Sequence, residues 1–440
     1  MTAFIERLCA AVAATDGGDG AMRALIGRAI ADTVAVAAAG WDEPVTQAAI
    51  TAYAGTGPRS WAGTTMESAE AAVMINAIAA HALDFDDVYL DSATHPSAVI
   101  IPAVLALDAV PAPGALISAI AAGLIAARAV AGYVGRSHYG RGFHGTSTIG
   151  AFSAAAAAGR LAGLNELRQR HAFGLAASLS GGLQANFSTM AKPCHAGFAA
   201  SAGLRAVRLA AAGVTAADDI FRPGGYADLY GGGGETLTDS MFELRADEVA
   251  VKLFPCCFAA SRLVGIALDA RRSLGPIFGA DDVRLRMAVP AGSLHVLRYP
   301  SPTDGLQAKF SAPFTVCAAL LDGPLLIPHF DDAQVHRADI LACMARLEIV
   351  EDQGQQSQGD IAFGTVVLDV IQPGGTARFT RGAIPGSAAD PASPEAVRTK
   401  AQGCLDAFAA RFGTGFPIAA KLGGMDEVAH WLTGSDGCVS

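Results

Sequence analysis

The segment His81-Ala-Leu-Asp-Phe-Asp-Asp-Val-Tyr-Leu-Asp-Ser-Ala-Thr-His-Pro96 sets four aspartates and two histidines between alanine-rich, strongly apolar stretches. Ionisable groups in such surroundings carry a large desolvation cost unless they are paired, solvated in a cleft, or used in chemistry. Three further polar sets stand out. One is Ser137-His138-Tyr139 followed by Phe143-His144-Gly145-Thr146-Ser147-Thr148, a second runs from Thr189 through Lys192-Pro193-Cys194-His195 to Gly197, and a third from Lys252 to Ser261. Imidazoles, carboxylates and an ammonium are the groups of acid–base catalysis and anion binding.

Their placement relative to helix starts narrows the chemistry. A residue before proline is pushed out of the helical region while proline favours the first helical position, so Lys192-Pro193 and His95-Pro96 each predict a helix N-terminus. His144 precedes Gly145-Thr146-Ser147-Thr148, a run of capping residues ahead of an apolar helix starting near Ile149. A single histidine before a helix is ordinarily a cap or a satisfied polar group. Three such arrangements facing one cavity would converge on an anion, because free backbone N–H groups and positive dipole ends favour carboxylate or phosphate. The expectation is a pocket for a small polyanion. Asp86, Asp87 and Asp91 read as solvated helix-end carboxylates and Asp84 as the buried member. His81 and His171 read as core histidines on apolar helices, while His295, His329, His336 and His430 have no companion signal.

Asp86-Asp87-Val88-Tyr89-Leu90-Asp91 looks like the aspartate-rich magnesium site of helical prenyl and terpene synthases. Such a site needs a second acidic set, which neither Asp218-Asp219 nor Asp281-Asp282 supplies. His138 and His144, six apart across a glycine-rich turn, lack zinc spacing. Gly231 to Gly234 lacks the Lys-Ser/Thr of a phosphate loop, and no Gly-x-Ser-x-Gly elbow occurs. The reading is therefore chemistry without metal or organic cofactor.

The elements that must position these groups are mostly helical. The chain of 440 residues is long enough for two or three domains and is 52% hydrophobic and 16% charged. The longest apolar run, 114–127, stops at Arg128 short of the ~20 residues of a spanning helix, so a buried helix and no transmembrane segment are expected. The N-terminus has a helical period with charges inside it, unlike a secretory signal. Eight cysteines without CxxC spacing suggest reduced, cytoplasmic thiols. A net charge of −10 with no Lys/Arg run argues against nucleic-acid binding.

Helical periodicity covers 22–38, 68–82, 99–107, 115–134, 148–162, 166–178 and 197–212. After Phe254-Pro255-Cys256-Cys257 comes a helix over 259–273, then strands at 283–289, 347–350, 365–371 and 376–379, the last two joined by a hairpin turn at Gln372-Pro373-Gly374-Gly375. A Pro/Ser linker over 384–394 leads to a helix at 394–412 that packs back on the first domain. The fold class is mainly α: a large all-helical domain over 1–252, completed by 391–440, plus a smaller α+β domain over 253–390.

Together, His81-Ala-Leu-Asp-Phe-Asp-Asp with Thr94-His95-Pro96-Ser97, Phe143-His144 with Thr148-x-Gly150, Lys192-Pro-x-His195-x-Gly197, Lys252-x-Phe-Pro-Cys-Cys, and Lys309-Phe-Ser with Ala319-Leu-Leu-Asp-Gly323 resemble the MmgE/PrpD family, in order and over nearly the whole chain. That family contains 2-methylcitrate dehydratase, cis-aconitate decarboxylase and iminodisuccinate epimerase. The resemblance implies a homodimer whose α+β domain is a lid, acting without metal on small di- or tricarboxylates by proton transfer at carbon beside a carboxylate. It implies a pocket lined by Asp84, His95, His144 and Lys192. Lys192 would bind carboxylate and stabilise charge, His95 and His144 would move protons, and Asp84 would orient a histidine or hold its charged form. Thr94, Thr146, Thr148, His195, Ser261 and Lys309 make up the implied substrate-binding set. Tyr139 looks like the tyrosine of the epimerase branch, a partner for Lys192 across the substrate. Ser261 stands where the family usually has a histidine, and Val88 where the decarboxylase branch carries a threonine. The first reading is a dehydratase-like lyase of a small polycarboxylate. The alternatives are an epimerase using Lys192 and Tyr139, a decarboxylase, and a non-catalytic carboxylate-binding relative.

Overall fold

Small residues set how closely the helices approach one another. The computed structural model describes residues 3–423 apart from 17, 91, 232, 233, 235, 277, 279–281 and 358–362. The chain divides into two units, Met1–Val249 with Val397–Ser440, and Ala250–Ala396. The first unit holds α1 (Phe4–Ala13), α2 (Gly20–Ala39), α3 (Pro44–Tyr53), a hairpin of β1 (Ala54–Arg59) and β2 (Thr65–Met66), α4 (Ala69–His81), β3 (Val88–Tyr89), α5 (Pro96–Val104) and α6 (Pro113–Val134). Two one-turn helices follow, α7 (Ser137–Gly140) and α8 (Gly145–Thr148), then α9 (Gly150–Leu161), α10 (Glu166–Leu179), α11 (Ala191–Ala211) and the short α12 (Tyr226–Tyr230).

α11 lies at the centre, packed on α4, α5, α9 and α10. A methyl group on Gly197 would sit 2.8 Å from the Met74 carbonyl oxygen, and one on Gly203 2.3 Å from the Ala154 Cβ. Alanine at either position would force α11 away from α4 or α9, and with it the residues of its first turn. α4 is capped by Ser68, whose Oγ accepts the Ala71 N–H. Buried Trp61, on the β1–β2 loop, receives its place from Asn76 of α4 and donates its ring N–H to the Leu105 carbonyl at the end of α5, 2.8 Å each. The β1–β2 hairpin is not announced by any strand pattern in the sequence. Its strands are short, and the first contains Gly57 and Pro58, which weaken a strand pattern.

The helix expected over 115–134 is α6, which runs through Arg128 to Val134 and so is longer than the uncharged run 114–127. Gly20–Asp42 and Pro113–Val134 are long and apolar enough to cross a bilayer by length and composition, and 83% and 78% of their apolar windows are buried in the protein. Arg128 is accommodated because Glu248 accepts from its Nε and Nη2 at 2.6 and 2.9 Å. Glu248 also accepts the Tyr89 hydroxyl, tying β3 to the same pair.

The second unit opens with β4 (Val249–Ala250), which straddles the boundary, and continues with α13 (Phe258–Leu274), β5 (Arg284–Ala291), α14 (Gly305–Ala308), α15 (Ala312–Asp322), α16 (Asp332–Val335), α17 (Ala338–Met344), β6 (Leu347–Gln356), β7 (Val366–Gln372) and β8 (Gly375–Arg381). Its sheet has strand order β6-β5-β7-β8. β5 runs parallel to β6 and antiparallel to β7, with Met287 opposite Ile349 and Leu368. Alternating Val366, Leu368 and Val370 are buried, and α13 packs on β7 and β8. The hairpin pairs Gln372 with Gly375 across Pro373-Gly374. The expected linker is not a free connector: Ile384 to Ser387 are buried and the Gly386 carbonyl accepts the Val251 N–H at 3.0 Å. Burial of Ile384 outweighs the local Pro/Ser signal. α18 (Pro394–Phe412) and α19 (Pro417–Lys421) return the chain to the first unit.

Candidate active site

α4 ends at His81 and α5 begins just after His95, so the turn over 82–95 carries every aspartate of the segment from one helix end to the next helix start. Asp84 donates its N–H back to the His81 carbonyl at 3.1 Å and adopts φ +53°. That left-handed conformation is uncommon outside glycine and is tolerated best by Asn and Asp. It lets the chain leave α4 with the Asp84 carboxylate 3.1 Å from Lys192 Nζ.

Lys192 and His195 stand one turn apart in α11. The proline rule is met differently than expected: α11 begins at Ala191, so Lys192 is already helical and Pro193 occupies the third position. A proline in the first turn removes an N–H that has no intrahelical acceptor in any case. His95 precedes α5 as expected, whereas the run Gly145–Thr148 after His144, expected as a cap, is itself the short α8 and makes no side-chain cap bond at its start.

These elements bring Asp84, His95, His144, Lys192 and His195 together with His81 and Asp86. Lys192 Nζ lies 3.0 Å from His81 Nε2. His81 Nδ1 faces Asp86 at 2.9 and 3.0 Å. Asp86 also faces His95 Nδ1 at 3.1 Å, and His95 Nε2 lies 3.7 Å from Asp84. All are at most 6% exposed. Asp86 and Asp87 are therefore not solvated helix-end carboxylates. Burial pushes Asp86 up, but the His81 and His95 imidazoles outweigh it and hold the carboxyl well below its usual range. Asp87 accepts the Ser97 N–H at 3.2 Å and pairs with its hydroxyl, capping α5 from below. Burial pushes Asp87 up to about 7. Asp91 and His430 lie outside the described residues, as does Asp281.

His81 is buried as expected of a core histidine but is a member of the cluster, not a packing residue. Its own helix gives no hint of this. The available signal was its spacing, five residues ahead of Asp86 across a turn. Because its Nε2 accepts from the lysine ammonium, its Nδ1 must carry the proton it gives to Asp86, so the ring is neutral. Burial lowers its pKa to about 4. His171 is 9% exposed and accepts the Ala216 N–H.

His144 and His195 meet Nδ1 to Nδ1 at 2.8 Å. Both are held below the ordinary imidazole range, first by burial and then by the Lys192 ammonium and the neighbouring histidines, His195 to about 4. Two neutral rings in this contact must be opposite tautomers. One donates from Nδ1 and keeps a bare Nε2, and the other accepts at Nδ1 and carries its proton on Nε2. The pair thus offers one base and one N–H donor.

Thr146 Oγ1 accepts the His95 N–H at 3.1 Å. Thr148 Oγ1 lies 2.7 Å from His138 Nε2, whose Nδ1 donates to the Tyr230 carbonyl. Thr94 pairs its hydroxyl with Ser92 and its carbonyl with the Tyr89 N–H, both at 2.8 Å. Tyr139 is half-buried on α7, its carbonyl taken by Gln184. In the second unit, Ser261 is buried on α13, and Lys309 is buried with Nζ 5.9 Å above the Phe330 ring.

Ligand atoms of His81, Asp84, Asp86 and His95 lie within 4.8 Å of one another, close enough to hold a metal ion. The Lys192 ammonium already faces two of these residues, His81 and Asp84, and meets their need for a positive partner. Chemically, the arrangement combines a fixed buried cation, a histidine between two carboxylates, and a neutral histidine pair with a base and a donor.

The chain matches two family models, the MmgE/PrpD N-terminal domain over residues 6–236 and the MmgE/PrpD C-terminal domain over 254–411. It is 29% identical over 295 residues to the cis-aconitate decarboxylase of Mus musculus and 27% identical over 293 residues to that of Homo sapiens, in each case across 63% of this chain and 60% of the relative. The Aspergillus terreus cis-aconitate decarboxylase is 29% identical over 210 residues, 42% of each chain. The match thus spans about 60% of the length of the two mammalian relatives.

Proposed function

The chain belongs to the MmgE/PrpD family, and from that premise we propose that it is a lyase, dehydratase-like, acting on a small di- or tricarboxylic acid by proton transfer at carbon beside a carboxylate, with no cofactor. One observation carries the reading: the Lys192 ammonium stands between Asp84 and His81 within a cluster of buried histidines. An ammonium has three N–H donors. Directed at Asp84 and His81, they hold the positive charge at the centre of the cluster, where it attracts a substrate carboxylate or the oxygen that gains charge when the neighbouring proton leaves. His95, with Asp84 on one side and Asp86 on the other, serves as the acid that protonates the departing hydroxyl. The bare nitrogen of the His144–His195 pair serves as the base. Keeping that pair neutral is what burial does for it.

A second reading, decarboxylation, is favoured by the names of the matched relatives, which are cis-aconitate decarboxylases. In that reaction Lys192 would stabilise the same charge, formed by loss of carbon dioxide instead of a proton. The two are separated by incubating the protein with citrate, 2-methylcitrate and cis-aconitate while recording ultraviolet absorbance and carbon dioxide. A new conjugated double bond without gas supports dehydration. Gas release from cis-aconitate moves the assignment to decarboxylation, and neither signal with any acid contradicts both.

A further inference from the structure

Beneath the turn that carries the site aspartates lies a second buried ion pair. Lys400 of α18 places Nζ 2.6 Å from Asp32 of α2. The two side chains are 4% and 2% exposed. The same ammonium donates to the Phe85 carbonyl at 2.6 Å and sits 4.1 Å over the Phe85 ring. Phe85 is the residue between Asp84 and Asp86. The turn is thus fixed at three successive residues by four cationic or imidazole partners: Asp84 by Lys192, Phe85 by Lys400, and Asp86 by His81 and His95.

Fixing is needed here. Asp84 is in the left-handed region, a conformation that persists only where its surroundings over-determine it. A buried carbonyl must also find a donor. Of the groups around the turn, Lys400 comes from farthest along the chain, 315 residues from Phe85. We propose that Lys400 is a positioning residue: by clamping the Phe85 carbonyl it sets the Asp84 and Asp86 carboxylates on either side of His95 and so sets that histidine's protonation. The consequence for turnover rests on the proton-transfer reading above; the consequence for His95 does not.

The test uses the full-length chain and Lys400→Met combined with Asp32→Asn, which removes the clamp without leaving a buried unpaired carboxylate. Asp32→Asn alone keeps the ammonium-to-carbonyl bond and serves as comparison. Lys400→Arg keeps a cation for Asp32 but replaces the single ammonium by a planar fork, and it decides the matter should the double variant not fold. The readouts are the His95 titration by imidazole nitrogen NMR and, on whichever polycarboxylate the wild type turns over, kcat and KM. The clamp predicts a His95 midpoint moved by at least about half a pH unit, with kcat down about tenfold or more and KM within about threefold in the double variant and in Lys400→Arg. Asp32→Asn alone should match the wild type in both. An unmoved His95 midpoint in the double variant and in Lys400→Arg overturns the proposal, as does an Asp32→Asn variant that changes as much as the double. If the wild type turns over no polycarboxylate, the functional reading fails and the His95 titration still decides the role of Lys400.

Discussion

Nζ of Lys192 and Nε2 of His81 lie 3.0 Å apart in the interior of the helical unit. A cation that donates to an imidazole requires that imidazole to be neutral, and a neutral histidine with burial against it stays neutral well below its usual titration range. This one contact links the electrostatics of the site to the stability of the fold, and several outcomes follow from it and its neighbours.

Acid should weaken the fold in a defined window. Burial lowers the folded His81 imidazole to about 4 against its ordinary 6.5, so the unfolded chain takes up a proton below about 6.5 that the folded chain refuses. The stabilisation is complete above the unfolded value and is lost as pH falls toward the folded one. His81 alone accounts for about 2 kcal/mol between pH 8 and pH 5. His144 and His195 add in the same direction. Urea unfolding at the two pH values measures the drop, and a flat profile contradicts the neutral-histidine cluster.

Asp87 should act with the opposite sign. Burial pushes its folded value to about 7, above the ordinary 3.8, so its contribution is complete below about 3.8 and is lost as pH rises through about 7. Asp87→Asn mimics the protonated form. Relative to the wild type, the variant should gain about 2–3 kcal/mol between pH 5 and pH 8. A stability difference that does not change with pH places an ionised carboxylate at this position.

Lys192→Met should reduce turnover by a factor on the order of 10²–10³, the usual effect of removing one donor to developing charge. Lys192→Arg should not restore it, because a planar guanidinium cannot present donors to Asp84, His81 and substrate from one point. Removing the lysine also strands the Asp84 carboxylate, so Lys192→Met should be destabilised by about 3–5 kcal/mol. Adding Asp84→Asn should recover part of that loss, as equilibrium unfolding of the single and double variants will read.

At Asp84, backbone and charge can be separated. Asn tolerates the left-handed conformation at φ +53°, so Asp84→Asn should keep the turn and lose activity by about tenfold or more. Asp84→Leu should cost a further 1–2 kcal/mol or so from backbone strain. Thermal melts of the two variants separate these effects, and equal melting temperatures contradict the strained-turn account.

The helix start at His95 was legible because proline fixes the residue before it, whereas the Thr/Ser run after His144 is itself a helical turn and caps nothing. The spans of α2, α6, α10 and α13 followed from apolar spacing. What local rules miss is pairing across the turn and across the chain. Asp86 reads as a surface carboxylate until His81 and His95 close on it, and His81 reads as core until Lys192 arrives from more than a hundred residues away. The 384–387 stretch has the composition of a linker, and its burial comes from contacts no local pattern encodes. The β1–β2 hairpin escaped because its strands are brief and interrupted by glycine and proline.

The most direct test of proton transfer beside a carboxylate is proton NMR of the wild type in deuterated water with citrate, 2-methylcitrate, cis-aconitate and amino-dicarboxylates, with Lys192→Met alongside. The account predicts new olefinic protons from a hydroxylated acid, or solvent deuterium at the carbon beside its carboxylate in the reverse direction, each abolished in the variant. Deuterium exchange without olefin would move the reaction to an epimerisation involving Tyr139, and neither exchange nor olefin from any of these acids would contradict the central claim.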